Sequence, residues 1–143
     1  MAITIDESVY EKLTDDKTGD SIYQKVGGRI SAEYAAQSSQ FPYLVFDKTA
    51  STTQTLSFGV NPSMIHDCRY TIRVFGQWED GVEEITEIGD LVVALFHNYN
   101  DSSVTYFDNI HFRVMSGTTV ERADDVLVAG VQLRAYGIQT SGL

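Results

Sequence analysis

Cysteine is nearly absent. Cys68 is the single one in 143 residues, which excludes an internal disulfide and suits a reducing compartment. Proline is scarce as well, with 2 residues beside 11 glycines, and that argues against a linker-rich or disordered chain. No run of eighteen apolar residues occurs, so no segment is expected to cross a membrane. The opening "MAITIDESVYEKL" has no basic region followed by an apolar stretch, so no secretory signal is expected. Positive charge is the scarcest resource: 10 Lys and Arg face 20 Asp and Glu, a net charge of −10. Nucleic-acid affinity rests on cations that neutralise phosphates, and none cluster here. Anionic lipid surfaces would repel the chain for the same reason.

What is present is enough for one core, since 43% of the residues are hydrophobic. Residues 6–14, "DESVYEKLT", read as a short helix with Asp6 as its cap and Val9, Leu13 and Tyr10 on one face. "SIYQKV" adds a helical turn before Gly27-Gly28, a pair that marks a turn. "RISAEYA" and "PYLVFDKTA" read as strands, and the Ser/Thr-rich 51–63 as a long loop or hairpin tip. The clearest strand is "MIHDCRYTIRVFGQW", residues 64–78. Its even positions, Met64, His66, Cys68, Tyr70, Ile72, Val74 and Trp78, alternate with Asp67, Arg69, Thr71, Arg73 and Gln77. One face is therefore buried and the other polar. "VEEITEIGDLVVALFH" is an amphipathic helix with Ile85, Ile88, Val92, Leu95 and Phe96 in one stripe and acids in its first half. Two strands follow, with Ile110, Phe112 and Val114 inward on the first and Leu127 to Ala135 at odd positions inward on the second. The expected fold is α+β: a single two-layer domain over 1–143, with a mainly antiparallel sheet of four to five strands and two helices on one face. Flexible ends are expected at 1–4 and 139–143.

Catalytic and metal chemistry has no visible pattern. His66 and Cys68 are two apart on one strand face, but His97 and His111 lack the spacing of a zinc site. A buried Cys and a half-buried His on the core face is the plainer reading. "DDKTGDSIYQKV" begins like a calcium loop, yet its twelfth position is Val26 or Gly27 where a bidentate Glu is needed. No activating sequence surrounds Cys68. Glu83-Glu84 and Asp124-Asp125 sit at a helix start and in a loop, where solvated carboxylates are the rule. "VGGRI" lacks the lysine and hydroxyl of a phosphate loop. "NDS" at 100–102 fits a glycosylation acceptor with no signal to deliver it. No catalytic residue, cofactor or metal is expected, and a protein of this kind works by contact with other proteins.

The sequence "VYEKLTDD…VGGRIS…FPYLVFDK", followed by "CRYTIRVFG", "EEITEIGDLVVALFH" and "VLVAGVQLRAYG", resembles the tail-terminator or tail-completion proteins of long-tailed bacteriophages. The likeness spans about residues 8–137 and rests on the order and spacing of packing patterns; the second helix here is more acidic than is usual in that family. The resemblance implies a structural virion protein of the neck, at the top of the tail. Such proteins form a ring-shaped homo-oligomer, a hexamer, that caps the tail tube, stops its polymerisation and joins it to the head connector. The implied partners are other copies of the chain, the tail tube protein and the head connector. No membrane and no sequence-specific nucleic acid is implied, although DNA passes through the ring. Assembly would take place in the bacterial host cytoplasm.

Candidate interface residues follow. Arg69, Arg73 and Arg134 are cations on the polar sheet face of an acidic molecule, available to acids on neighbouring subunits. Phe58 and Val60 are apolar residues in a small polar loop, expected to order against a neighbour or the tube. The alternative reading is a small enzyme whose acid/base site is assembled from distant Asp, Glu and His. A ferredoxin-like RNA-binding module is disfavoured by charge and by the lack of an aromatic RNA-binding strand.

Overall fold

In the computed structural model, which describes residues 4–32, 40–55, 64–105 and 107–139 (side chains at 55 and 108 excepted), Thr4 starts the first helix. Its hydroxyl oxygen accepts from the Glu7 backbone N–H at 3.1 Å, and α1 runs Ile5–Thr14. The expected cap, Asp6, lies one step inside instead. There its carboxylate suits the positive end of the helix and takes the Tyr70 hydroxyl and the Lys48 ammonium as partners. α2 is one turn, Ile22–Lys25, capped by Ser21. Gly27 and Gly28 then turn the chain at φ 59° and 75°, as the double glycine suggested.

The strands are β1 Ile30–Ala32, β2 Tyr43–Thr55, β3 Met64–Gln77, β4 Tyr99–Asp101, β5 Phe107–Ala123 and β6 Val126–Gln139. α3, Glu83–Phe96, follows a 3-10 turn at Trp78–Asp80. They form one six-stranded sheet in the order β1-β2-β3-β6-β5-β4. Only the β1–β2 pair is parallel. The fold is α+β, with six strands where four to five were expected. The strand not foreseen is β4, whose 3 residues are too few for alternation to show.

Two further expectations are corrected. Residues 51–55, read as part of a long loop or an extended hairpin tip, are not loop: they continue β2 and pair with β3 out to Thr55 opposite Met64. Threonine is β-branched and suits a pleated surface even in a polar run. Phe58 and Val60 lie outside the described residues. Trp78 leaves the buried alternation, because β3 ends at Gln77, and its side chain is 46% exposed in the 3-10 turn.

The core lies between the helices and one sheet face. Tyr70, Ile72 and Val74 of β3, Ile110 and Phe112 of β5, and Leu127 to Ala135 at odd positions of β6 point inward. Ile85, Ile88, Val92 and Phe96 of α3 cover them, four of the five residues of the expected stripe, while Leu95 of that stripe and Val114 of β5 are only partly buried against the core. α1 contacts both flanks of the sheet: Tyr10 lies 6.3 Å from Phe46 on β2, and Lys12 lies 4.2 Å over Tyr99 on β4. In a flat sheet those strands would be four spacings apart, roughly 19 Å, against a helix diameter of about 10–12 Å. The sheet therefore curls around the helices, in place of two flat layers.

Inside this closure, Ser8 of α1 donates a hydrogen bond to Asp101 of β4, and both residues are buried. The Ser103 backbone N–H and hydroxyl donate to the other carboxylate oxygen at 2.8 and 2.6 Å. Burial alone would raise the Asp101 carboxyl, but the Ser103 and Ser8 hydrogen bonds hold it below the ordinary value. Ser8→Ala should cost about 1.5–3 kcal/mol, as for a hydrogen bond to a charged group. Because the folded pKa is depressed, this contribution is complete above the unfolded value of about 3.9 and is lost as pH falls through the folded one. Urea midpoints of both proteins between about pH 7 and about pH 3 should show a constant gap that narrows at the acid end. A gap that widens on acidification would contradict the assignment.

Candidate functional site

On the sheet face turned away from the helices, the register arranges the charges. Arg69 on β3 lies directly opposite Arg134 on β6, and Arg134 lies opposite Arg113 on β5. Three arginines thus form one row across three strands. In the next row Asp67, Tyr136 and His111 stand opposite one another. Arg134 grips Asp67 through Nε at 3.0 and 3.1 Å and through Nη2 at 2.7 Å, and its guanidinium lies 4.8 Å from the Tyr136 ring. The hydrogen bonding to Asp67 raises the Arg134 pKa further, against a smaller effect of burial. His111 packs edge-on to Tyr136 at 5.0 Å and its Nδ1 lies 2.7 Å from the Asn100 side-chain oxygen.

The sequence-chosen arginines divide accordingly. Arg69 and Arg134 are adjacent. Arg73 lies further along β3 in a separate pair, with Nη1 at 2.8 Å from the Asp47 carboxylate. Among the described residues, the exposed Arg69 and Arg113 have no ion pair. Arg113 was missed, although it alternates with the inward Phe112 and Val114; only the register reveals its neighbours.

The chemistry-bearing residues of the inner face are occupied by packing. Cys68 is buried, with its sulfur 3.7 Å from the Ser51 hydroxyl. His66 Nε2 lies 2.6 Å from the Gln139 side-chain oxygen, and Phe107 packs edge-on to its ring. Among the described residues, no three His, Cys, Asp or Glu are placed to share a metal ion, and no hydrogen bond or ion pair joins a His to a carboxylate. A cleft of about 280 Å³ beside α1 is lined by Asp6, Tyr10, Phe46, Lys48 and Tyr70. Burial, and then the hydrogen bond to Asp6, push the Tyr70 phenol far up, so near neutral pH it is a donor and not a base. Cys68→Ala should therefore cost about 1 kcal/mol as a small cavity, and a chelator should leave the melting curve unchanged. Stoichiometric zinc in the purified protein, with a drop of many degrees on chelation, would overturn that.

One end of the sheet is strongly acidic. The Trp78 backbone N–H donates to the Asp125 carbonyl at 2.8 Å, which ties the 3-10 turn to the two-residue turn between β5 and β6. Asp124 in that turn has φ 53°, a conformation Asp tolerates. The Arg122 guanidinium lies 3.6 Å over the Trp78 ring, and its Nε donates to the Asp124 carbonyl at 2.9 Å. Glu79, Asp80, Asp124 and Asp125 are exposed around this stack.

No family model and no curated protein matches the chain. Solved structures do. A chain from the virion of a native gene transfer agent particle superposes with a TM-score of 0.66 at 14% identity, covering 91% of each chain. A second solved chain superposes with a TM-score of 0.57 at 12% identity, covering 97% of this chain and 99% of that one. These likenesses show a shared fold over nearly the full length. Among the described residues, no helix is long and apolar enough to cross a membrane.

Proposed function

We propose that this chain is a structural protein of a phage-like virion, a tail terminator that assembles as a ring on the tail tube. The observation that carries the reading is the likeness, over 91% of both chains, to a chain from a gene transfer agent virion. The packing motifs that resemble tail terminators point the same way. The protein caps the tube, ends its polymerisation and joins it to the head connector in the neck of the particle. It works through contacts with other copies of itself, the tube and the connector, not through catalysis, and it needs no cofactor. The net charge of −10 suits a ring through which DNA must slide, since excess carboxylates do not hold phosphates.

The mass of the protein in solution, free and mixed with tail tube protein, should reveal a ring in at least one condition, and a hexamer is expected. Host cells that lack the gene should assemble tails of uncontrolled length without heads. A strict monomer in both conditions, together with normal particles from the deletion, would remove the reading.

A further inference from the structure

We infer that the row Arg69–Arg134–Arg113 is the seat for the acidic end of a second copy of this chain, the turns that carry Trp78, Glu79, Asp80, Asp124 and Asp125. The inference rests on the ring reading above and names the surfaces that would close the ring.

Like charges directly opposite one another in a sheet are destabilising. Elsewhere three cations have their own acids, Lys25 with Glu87, Lys48 with Asp6 and Arg73 with Asp47, while Lys12, Lys17 and Arg122 lie over aromatic rings and Arg29 donates to the Pro42 carbonyl. In the row, the described residues supply one carboxylate, Asp67, to three guanidinium groups. The acidic end is the reverse. Four exposed carboxylates there surround one cation, Arg122, and none of them forms an ion pair among the described residues. Arg69 and Gln77 are eight residues apart on β3, roughly 26 Å, so the two patches cannot meet within one chain. Two different patches that meet between copies make a head-to-tail contact, the kind that closes into a ring. The exposed Trp78, with Arg122 stacked on it, adds residue types that anchor interfaces. A nucleic-acid backbone is the weaker candidate for the row, because the whole molecule is acidic.

The test uses the full chain under the condition in which the wild type assembles. Arg69→Glu with Arg113→Glu should weaken self-association about tenfold or more, and Glu79→Arg with Asp80→Arg should do the same. All four changes in one chain should restore it, because the charges are exchanged and not lost. Trp78→Ala should weaken assembly while the melting curve of the monomer is kept. Rings undiminished by either charge reversal, or not restored by the combination, would overturn the contact and leave the ring reading standing. A wild type that is monomeric with and without tube protein would remove both. Duplex DNA bound by the wild type and released by the arginine variant, with rings intact, would assign the row to phosphates and overturn the inference.

Discussion

Phe112→Ala should remove about 3–5 kcal/mol of stability, the range for deleting a large buried aromatic. Phe112 is fully buried on β5, 5.4 Å from the Phe96 ring and 5.6 Å from the Tyr99 ring. These three rings join α3, β4 and β5. Neither neighbour is free to fill the space, since Phe96 is held in the α3 stripe and Tyr99 lies under Lys12. Domains of this size have total stabilities of about 5–15 kcal/mol, so the variant should be partly unfolded at ordinary temperature. Urea denaturation followed by circular dichroism measures the loss. A change under about 1.5 kcal/mol would mean that the site collapses and that this region is not the rigid joint described.

Gly137→Val should be nearly as damaging for the opposite reason. A Cβ at Gly137 would stand 2.6 Å from Ile110 Cδ1 and 2.7 Å from the Asn109 backbone oxygen. A side chain can rotate away, but the Asn109 carbonyl belongs to β5, which is held against β6 on both sides of this point. The register of β5 shifts between Phe107 and Ile110, and that irregularity brings its backbone close to β6. A branched side chain there should cost about 3 kcal/mol or more through overpacking. Gly117→Ala is the internal comparison: nothing lies within 4 Å of a Cβ at that position, so it should change stability by less than about 0.5 kcal/mol. Equal losses in the two variants would show that strand glycines matter here for backbone freedom and not for space.

Some of the candidate surface is readable locally, and some is not. That Arg69, Arg73 and Arg134 face away from the core follows from alternation, because neighbours two apart on a strand share a face. That Arg73 already holds Asp47 and Arg134 already holds Asp67 does not follow. Nor does the presence of Arg113 beside them. The acidic pair at 124–125 reads as a solvated loop, but its place beside Trp78 depends on β6 returning along β3.

The sequence by itself determined which residues are inside. The alternation of β3, β5 and β6 and the stripe of α3 are local periodicities, set by backbone geometry, and burial followed them closely. It also determined the charge of −10. Tertiary structure alone decided which strands are neighbours. A period of two says which face a residue takes and nothing about what stands beside it, so β6 between β3 and β5, and β1 as a parallel edge, were not legible. The same holds for the end of β3. Alternation would have carried Trp78 into the core, but the chain turns at Gln77 and leaves the indole exposed. Long-range pairing, not local preference, created the arginine row and the acidic end, because each joins residues from separate parts of the chain on the surface of one curled sheet.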